Sequence, residues 1–120
     1  MVGHFRRTPL HEAAGRGPKD VVHLLLDRGA QPNISEHTGR TPLLVAAFGG
    51  HKDVIKTLLD RGAEPNIGDI NGTTPLSYAL QLGKTDLANI LMENGWKRIF
   101  SEILLKSSDV IEEDHHSGWV

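Results

Sequence analysis

Residues 83–85 read Gly-Lys-Thr, the closing triplet of a loop that cradles nucleotide phosphates. The full signature needs a glycine five residues before Gly83, and Tyr78 stands there. It also needs a strand ahead of the loop, whereas this segment carries a helical pattern. Seven histidines raise metal binding next. His11 and His23 fall on different predicted helices, and His4, His37 and His51 are scattered through the chain. No two histidines stand four apart on one helix and there is no cysteine, so metal-ligand spacing is absent. The adjacent His115 and His116 offer weak, unstructured metal contact at most. Ser77, Ser101, Ser107, Ser108 and Ser117 lack the glycines of a nucleophile elbow, and no carboxylates pair in a recognisable pocket pattern. Asn33-Ile34-Ser35 and Asn71-Gly72-Thr73 match a glycosylation acceptor, but no secretory signal opens the sequence. No catalytic residue, no metal ligand and no cofactor is expected, and the chain does not read as an enzyme.

Composition narrows the class further. The chain has 120 residues, 13 Lys plus Arg against 15 Asp plus Glu, and no cysteine. That length suits one domain, without a disulfide framework. A net charge of −2 gives no basic excess for nucleic acid. No apolar run approaches the ~18 residues of a membrane span. The expected location is the cytoplasm, or the nucleus in a eukaryotic cell. Charge is unevenly placed. Beyond Lys106 the chain has Asp109, Glu112, Glu113 and Asp114 and neither Lys nor Arg. Such acidic tails are usually solvated. A functional version of the tail would fold back over Arg7, Arg16 and Arg40 as a screen.

The elements that must position any site repeat at a fixed interval. Thr8-Pro9-Leu10, Thr41-Pro42-Leu43 and Thr74-Pro75-Leu76 recur every 33 residues, and residues 8–40 match 41–73 at 19 of 33 positions. Residues 74–96 keep Ala79, Gly83, Asp86, Leu91 and Gly95 in register. Fixed periods of this size mark stacked-repeat folds. Threonine before proline predicts a capped helix start. Gly17, Gly50 and Gly83 predict its end in a left-handed conformation. A second helix follows, with Val21, Val22, Leu25 and Leu26 repeated as Val54, Ile55, Leu58 and Leu59 in one buried stripe. Gly29, Gly62 and Gly95 stop it. Residues 33–40 and 66–73 then read as hairpin loops joining the units, with Gly39 and Gly72 at matching places.

The pattern TPLHEAA…G…VV.LLL.RGA.PN at this period resembles the ankyrin repeat. The resemblance implies an all-α solenoid of helix-turn-helix units joined by β-hairpin loops. Three units are expected over residues 1–96, at about 3–35, 36–68 and 69–96. A C-terminal capping helix over 97–108 and an acidic, disordered tail over 109–120 complete the chain. Trp96, Ile99, Phe100, Ile103 and Leu104 supply the cap's apolar face, which could instead dock in a partner's groove. Three departures stand out. Arg6 occupies the place of Gly39 and Gly72, so the first hairpin is expected to be incomplete. Leu44 and Ser77 replace His11, so the polar contact of that histidine is expected to be missing there. Trp96 replaces Ala30 and Ala63. The resemblance also makes Asn66, and less well Asn33, a candidate for asparaginyl hydroxylation. The competing reading is that both side chains bond to the backbone of their turn.

By the same resemblance, hairpin tips and first helices line the concave face where partners bind. Positions that differ between matching units identify the candidates. They are Phe5, Arg7, Arg16, His37, Arg40, Val45, Phe48, Ile70, Asn71, Tyr78, Gln81 and Leu82. Phe5, Phe48 and Tyr78 are three of the four Phe and Tyr residues in the chain, and aromatic and arginine side chains dominate interface energetics. Phe48 and Tyr78 could equally be packing between units. The expected function is a non-catalytic protein–protein interaction module. Its partner is another protein, offering an acidic and partly apolar segment, with no nucleic acid or membrane, and the chain is expected to be a monomer. The alternatives are a stoichiometric inhibitor or regulatory subunit of an enzyme, and a fragment of a longer repeat scaffold.

Overall fold

Threonine followed by proline starts three helices in this chain. The computed structural model describes residues 7–94. Helix α1 is Pro9–Arg16, α2 Lys19–Asp27, α3 Pro42–Gly49, α4 Lys52–Asp60 and α5 Pro75–Gln81. A sixth helix, α6, is described over residues 85–94. Thr8, Thr41 and Thr74 are extended, and each hydroxyl accepts a hydrogen bond from the N–H three residues on, at His11, Leu44 and Ser77. The proline that follows loses no bond, because the first helical N–H groups have no intrahelical partner anyway. Gly17, Gly50 and Gly83 end α1, α3 and α5 with φ of 96°, 73° and 71°, a region that a Cβ disfavours.

Helices of seven to nine residues are marginal alone, so packing must hold them. The first helices form an inner row, α1 on α3 and α3 on α5, while α2 packs on α4 in an outer row. Ala13, Ala14, Ala46, Ala47 and Ala79 are buried between the inner helices, where small side chains permit close approach, with Leu10 and Leu43 beside them. Val54, Ile55, Leu58 and Leu59 of α4 are all buried. The matching stripe of α2 is only half covered, a departure from the expected pattern. Val22 and Leu26 are buried, whereas Val21 is 44% exposed. Among the described residues α2 has an outer-row neighbour on one side only.

The connections are tight turns, and no strand is present among the described residues. Glu36 N–H donates to the Arg40 carbonyl (3.0 Å) and Asp69 N–H to that of Thr73 (3.0 Å). Ile70 N–H then donates to the Thr38 carbonyl (3.0 Å), tying one turn to the next. Gly39, at φ 82°, sits at this junction. A Cβ there would stand 2.9 Å from Ile70 N, so the contact requires glycine. A carboxylate organises each turn. Glu36 Oε1 accepts from Thr38 N (2.7 Å), Arg40 N (3.2 Å) and the Thr38 hydroxyl. Asp69 Oδ1 accepts from Asn71 N (2.9 Å) and Thr73 N (3.0 Å).

Two expectations are refined. His11 Nδ1 accepts from Thr8 N–H (3.1 Å), closing a capping box, and its other ring nitrogen lies 2.8 Å from the Arg40 carbonyl. Leu44 replaces both contacts with apolar burial. Ser77 keeps the local half: its hydroxyl accepts from Thr74 N–H (2.9 Å), so the polar cap is not missing there. Asn33 bridges units: its Nδ2 donates to the Gly62 carbonyl (3.1 Å) and its Oδ1 accepts from Glu64 N–H (2.7 Å). For Asn66 the matching partners are residues 95 and 97, outside the described residues. The expected capping helix over 97–108, the tail over 109–120 and the first hairpin around Arg6 also lie outside them.

Candidate functional site

Two inner-row positions, repeated every 33 residues, shape the surface of the inner row. One is Gly15, Phe48 and Gln81; the other is Glu12, Val45 and Tyr78. The first position of one unit meets the second position of the next. Between units one and two this pair is Gly15 and Val45, and a Cβ on Gly15 would lie 2.9 Å from Val45 Cγ1. Between units two and three it is Phe48 and Tyr78, with ring centroids 4.6 Å apart and planes at 76°. A small pair beside a large one leaves a hollow walled by the Phe48 ring. The resulting groove, of about 400 Å³, is lined by Arg7, Glu12, Gly15, Arg16, Arg40, Val45, Phe48 and Gly49.

Its charges are unbalanced, with three guanidiniums against one carboxylate. Arg7 Nε is 2.9 Å from Glu12 Oε2, which offsets one of them. Arg16 is exposed at the rim. The Arg40 guanidinium lies over the Phe48 ring, 4.8 Å from its centroid, a favourable cation–π geometry. Its Nε is buried and has no hydrogen-bond partner among the described residues. Lys84 Nζ lies 5.9 Å from the Tyr78 ring centroid. Arg40, Phe48, Tyr78 and Lys84 thus form a continuous ladder along the inner row.

The backbone of Arg40 is gripped from two units. Its N–H donates to Glu36 Oε1 and its carbonyl accepts from Glu36 N–H. With Nδ1 of His11 accepting from Thr8, Nε2 carries the proton and donates to the same carbonyl. This tautomer is neutral, and burial, the largest influence, lowers the His11 pKa below its ordinary 6.5. The Arg40 carbonyl and the Glu36 carboxylate oppose that shift without overcoming it. Glu36 is 5% exposed. Burial is the largest influence on it too and pushes its pKa up. The donors on its carboxylate, from the Thr38 hydroxyl and the Arg40 and Thr38 N–H groups, together prevail and hold it below 4.5. The buried anion survives because it is hydrogen-bonded.

The sequence-predicted residues divide into three groups. Arg7, Arg16, Arg40, Val45 and Phe48 line one groove, and Tyr78 buttresses it from behind Phe48. Val45 has a packing role as well. At 6% exposure it is the groove floor, pressed against Gly15, and its side chain belongs to the packing between units. His37, Ile70 and Asn71 sit on the exposed turn tips, and Ile70 is 72% exposed. Gln81 and Leu82, also exposed, end α5 away from the groove lining. Phe5 lies outside the described residues. Sequence reasoning missed Gly15, whose missing side chain opens the groove, and Lys84. The unequal sizes of Gly15 and Phe48 at one repeat position were the available signal.

Among the described residues no three His, Asp or Glu side chains converge to hold a metal ion, and no helix is long and apolar enough to cross a membrane. The family model described as "Ankyrin repeats (3 copies)" matches residues 10–99. No curated protein matches the chain.

Proposed function

The chain belongs to the ankyrin-repeat family, and from that premise we propose that the groove between its first two units binds an acidic, partly apolar segment of another protein. Ankyrin repeats are in general protein–protein interaction modules, and the family is typically non-catalytic. One observation carries the finer reading: Arg7, Arg16 and Arg40 converge on a groove whose wall is Phe48 and whose floor is Val45. Guanidiniums recognise carboxylates through paired hydrogen bonds. Arg40 lines the groove with its guanidinium over the Phe48 ring, which places a fixed positive charge beside an apolar wall. Phe48, held edge-on by Tyr78, offers a rigid apolar face beside it at little entropic cost on binding.

A peptide panel tests this reading. Labelled peptides with acidic and apolar residues interleaved are titrated against the full chain, beside versions in which the acids become amides or the apolar residues become serine. Binding should require both features and weaken with salt. Equal binding of the amide versions would contradict it.

A further inference from the structure

The groove asks for carboxylates beside small apolar side chains, and one stretch of this same chain has that composition. Residues 109–114 read Asp-Val-Ile-Glu-Glu-Asp, and no Lys or Arg occurs after Lys106. We infer that this C-terminal acidic segment occupies the groove intramolecularly and competes with the external partner. The inference rests on the reading of the groove as an acidic-segment site and adds its regulation.

Charge complementarity is the first argument. Three arginines line the groove against a single glutamate, which Arg7 already engages. The segment's Asp109 and Glu112 flank Val110 and Ile111, so one short run supplies carboxylates for Arg40 and Arg16 and branched apolar side chains for the Phe48 wall. Basic side chains within the segment would oppose docking, and it has none.

Reach is the second argument. Helices packed in a row lie about 8–10 Å apart, which puts α6, in the third unit, within about 20 Å of the groove between units one and two. Fourteen residues separate Asn94 from Asp109. Fully extended they span about 45 Å. With 97–108 coiled into the predicted helix, at about 1.5 Å per residue, the connection still spans about 25 Å. Tethering at this length gives a local concentration in the millimolar range, so even a weak contact fills the site in the absence of a partner.

The test uses the full chain. Because the sequence has no cysteine, Ser117→Cys carries a single nitroxide label. In the 15N-labelled protein the label should broaden the amides of Gly15, Arg16 and Gly49. The broadening should vanish when Asp109→Asn, Glu112→Gln, Glu113→Gln and Asp114→Asn are combined in the same chain. A synthetic peptide of residues 107–116 should bind this neutralised chain about tenfold more tightly than the native chain, the margin expected for a tethered competitor. Four results overturn the inference. Broadening that persists after neutralisation means that charge does not seat the segment. Broadening that appears only between labelled and unlabelled copies assigns the contact to a second molecule. Equal peptide affinity for both chains shows that the native groove is open, and leaves the proposed function standing. Peptide binding to neither chain, with other acidic–apolar peptides also inert, removes the groove reading as well.

Discussion

Phe48 meets Tyr78 edge-on across the boundary of units two and three, at a ring separation of 4.6 Å, where one unit earlier the same two positions hold Gly15 and Val45. The groove between the first two units owes its shape to that inequality. Two rings fill one inter-unit step, a glycine and a valine leave the adjacent step hollow, and Arg40 spans the edge between them over Phe48.

The ring pair should be energetically coupled. Phe48→Ala removes the edge-on contact, the Arg40 cation–π contact and the groove wall together. A half-buried position should lose less than a core phenylalanine, about 2 kcal/mol. In a double-mutant cycle by denaturant unfolding, Phe48→Ala and Tyr78→Ala should share about 1 kcal/mol. Simple additivity would mean that the rings pack independently.

Gly15→Ala tests the hollow from the other side. Alanine in a helix normally gains about 1 kcal/mol over glycine, but here its Cβ would lie 2.9 Å from Val45 Cγ1. The gain should be absent in the native chain and reappear when Val45→Ala is also present. Equal stabilisation in both backgrounds would place Val45 away from Gly15.

His11 sets an acid limit. Its folded pKa is lowered from 6.5, so protons bind the unfolded chain more readily. The stability it contributes is complete above about pH 6.5 and is lost as pH falls through that value toward the folded pKa. Glu36, also lowered in the folded chain, adds a second loss as pH drops below 4.5. Denaturation midpoints measured from pH 7.5 to 5 should fall, and His11→Leu, which copies Leu44, should flatten that slope. The variant leaves Thr8 N–H and the Arg40 carbonyl without their ring partners, at a cost of about 1–3 kcal/mol at neutral pH. An unchanged slope would assign the pH dependence to other groups.

Asn33 should behave as a cross-unit staple. Its amide uses both ends, toward Gly62 and Glu64. Asn33→Ala should lower unfolding stability by about 1 kcal/mol, the small value reflecting exposed bonds that water can replace. No loss would show that the second loop holds its shape without this contact.

Much of the fold was legible because its determinants are local and repeated. Thr8, Thr41 and Thr74 cap their helices through their own sequence neighbours, and Gly17, Gly50 and Gly83 act through φ alone. What the repeat concealed depends on neighbours across units. The α2 stripe copies α4 in sequence, yet Val21 is exposed because, among the described residues, α2 has an outer-row neighbour on one side only. Glu36 reads as a surface acid but is buried, since its donors come from a turn conformation that no spacing rule announces. For the site, the arginines and aromatics were legible as candidates by type. Their convergence was not, because it depends on which position of one unit touches which position of the next. Val45 illustrates the difference: it varies between units as a contact residue would, and only the structure shows that it also lies against Gly15.

Charge reversal at Arg40 tests the account's central claim most directly. An interleaved acidic–apolar peptide is titrated against the native chain, Arg40→Glu and Lys56→Glu, the last making the same charge change on the exposed face of α4. Circular dichroism establishes beforehand that all three fold alike. The groove reading predicts at least about a tenfold loss of affinity for Arg40→Glu, as for a central arginine anchor, and a near-native value for Lys56→Glu. Equal losses in both variants would reduce the effect to net charge, and undiminished binding by Arg40→Glu would place the partner elsewhere on the molecule.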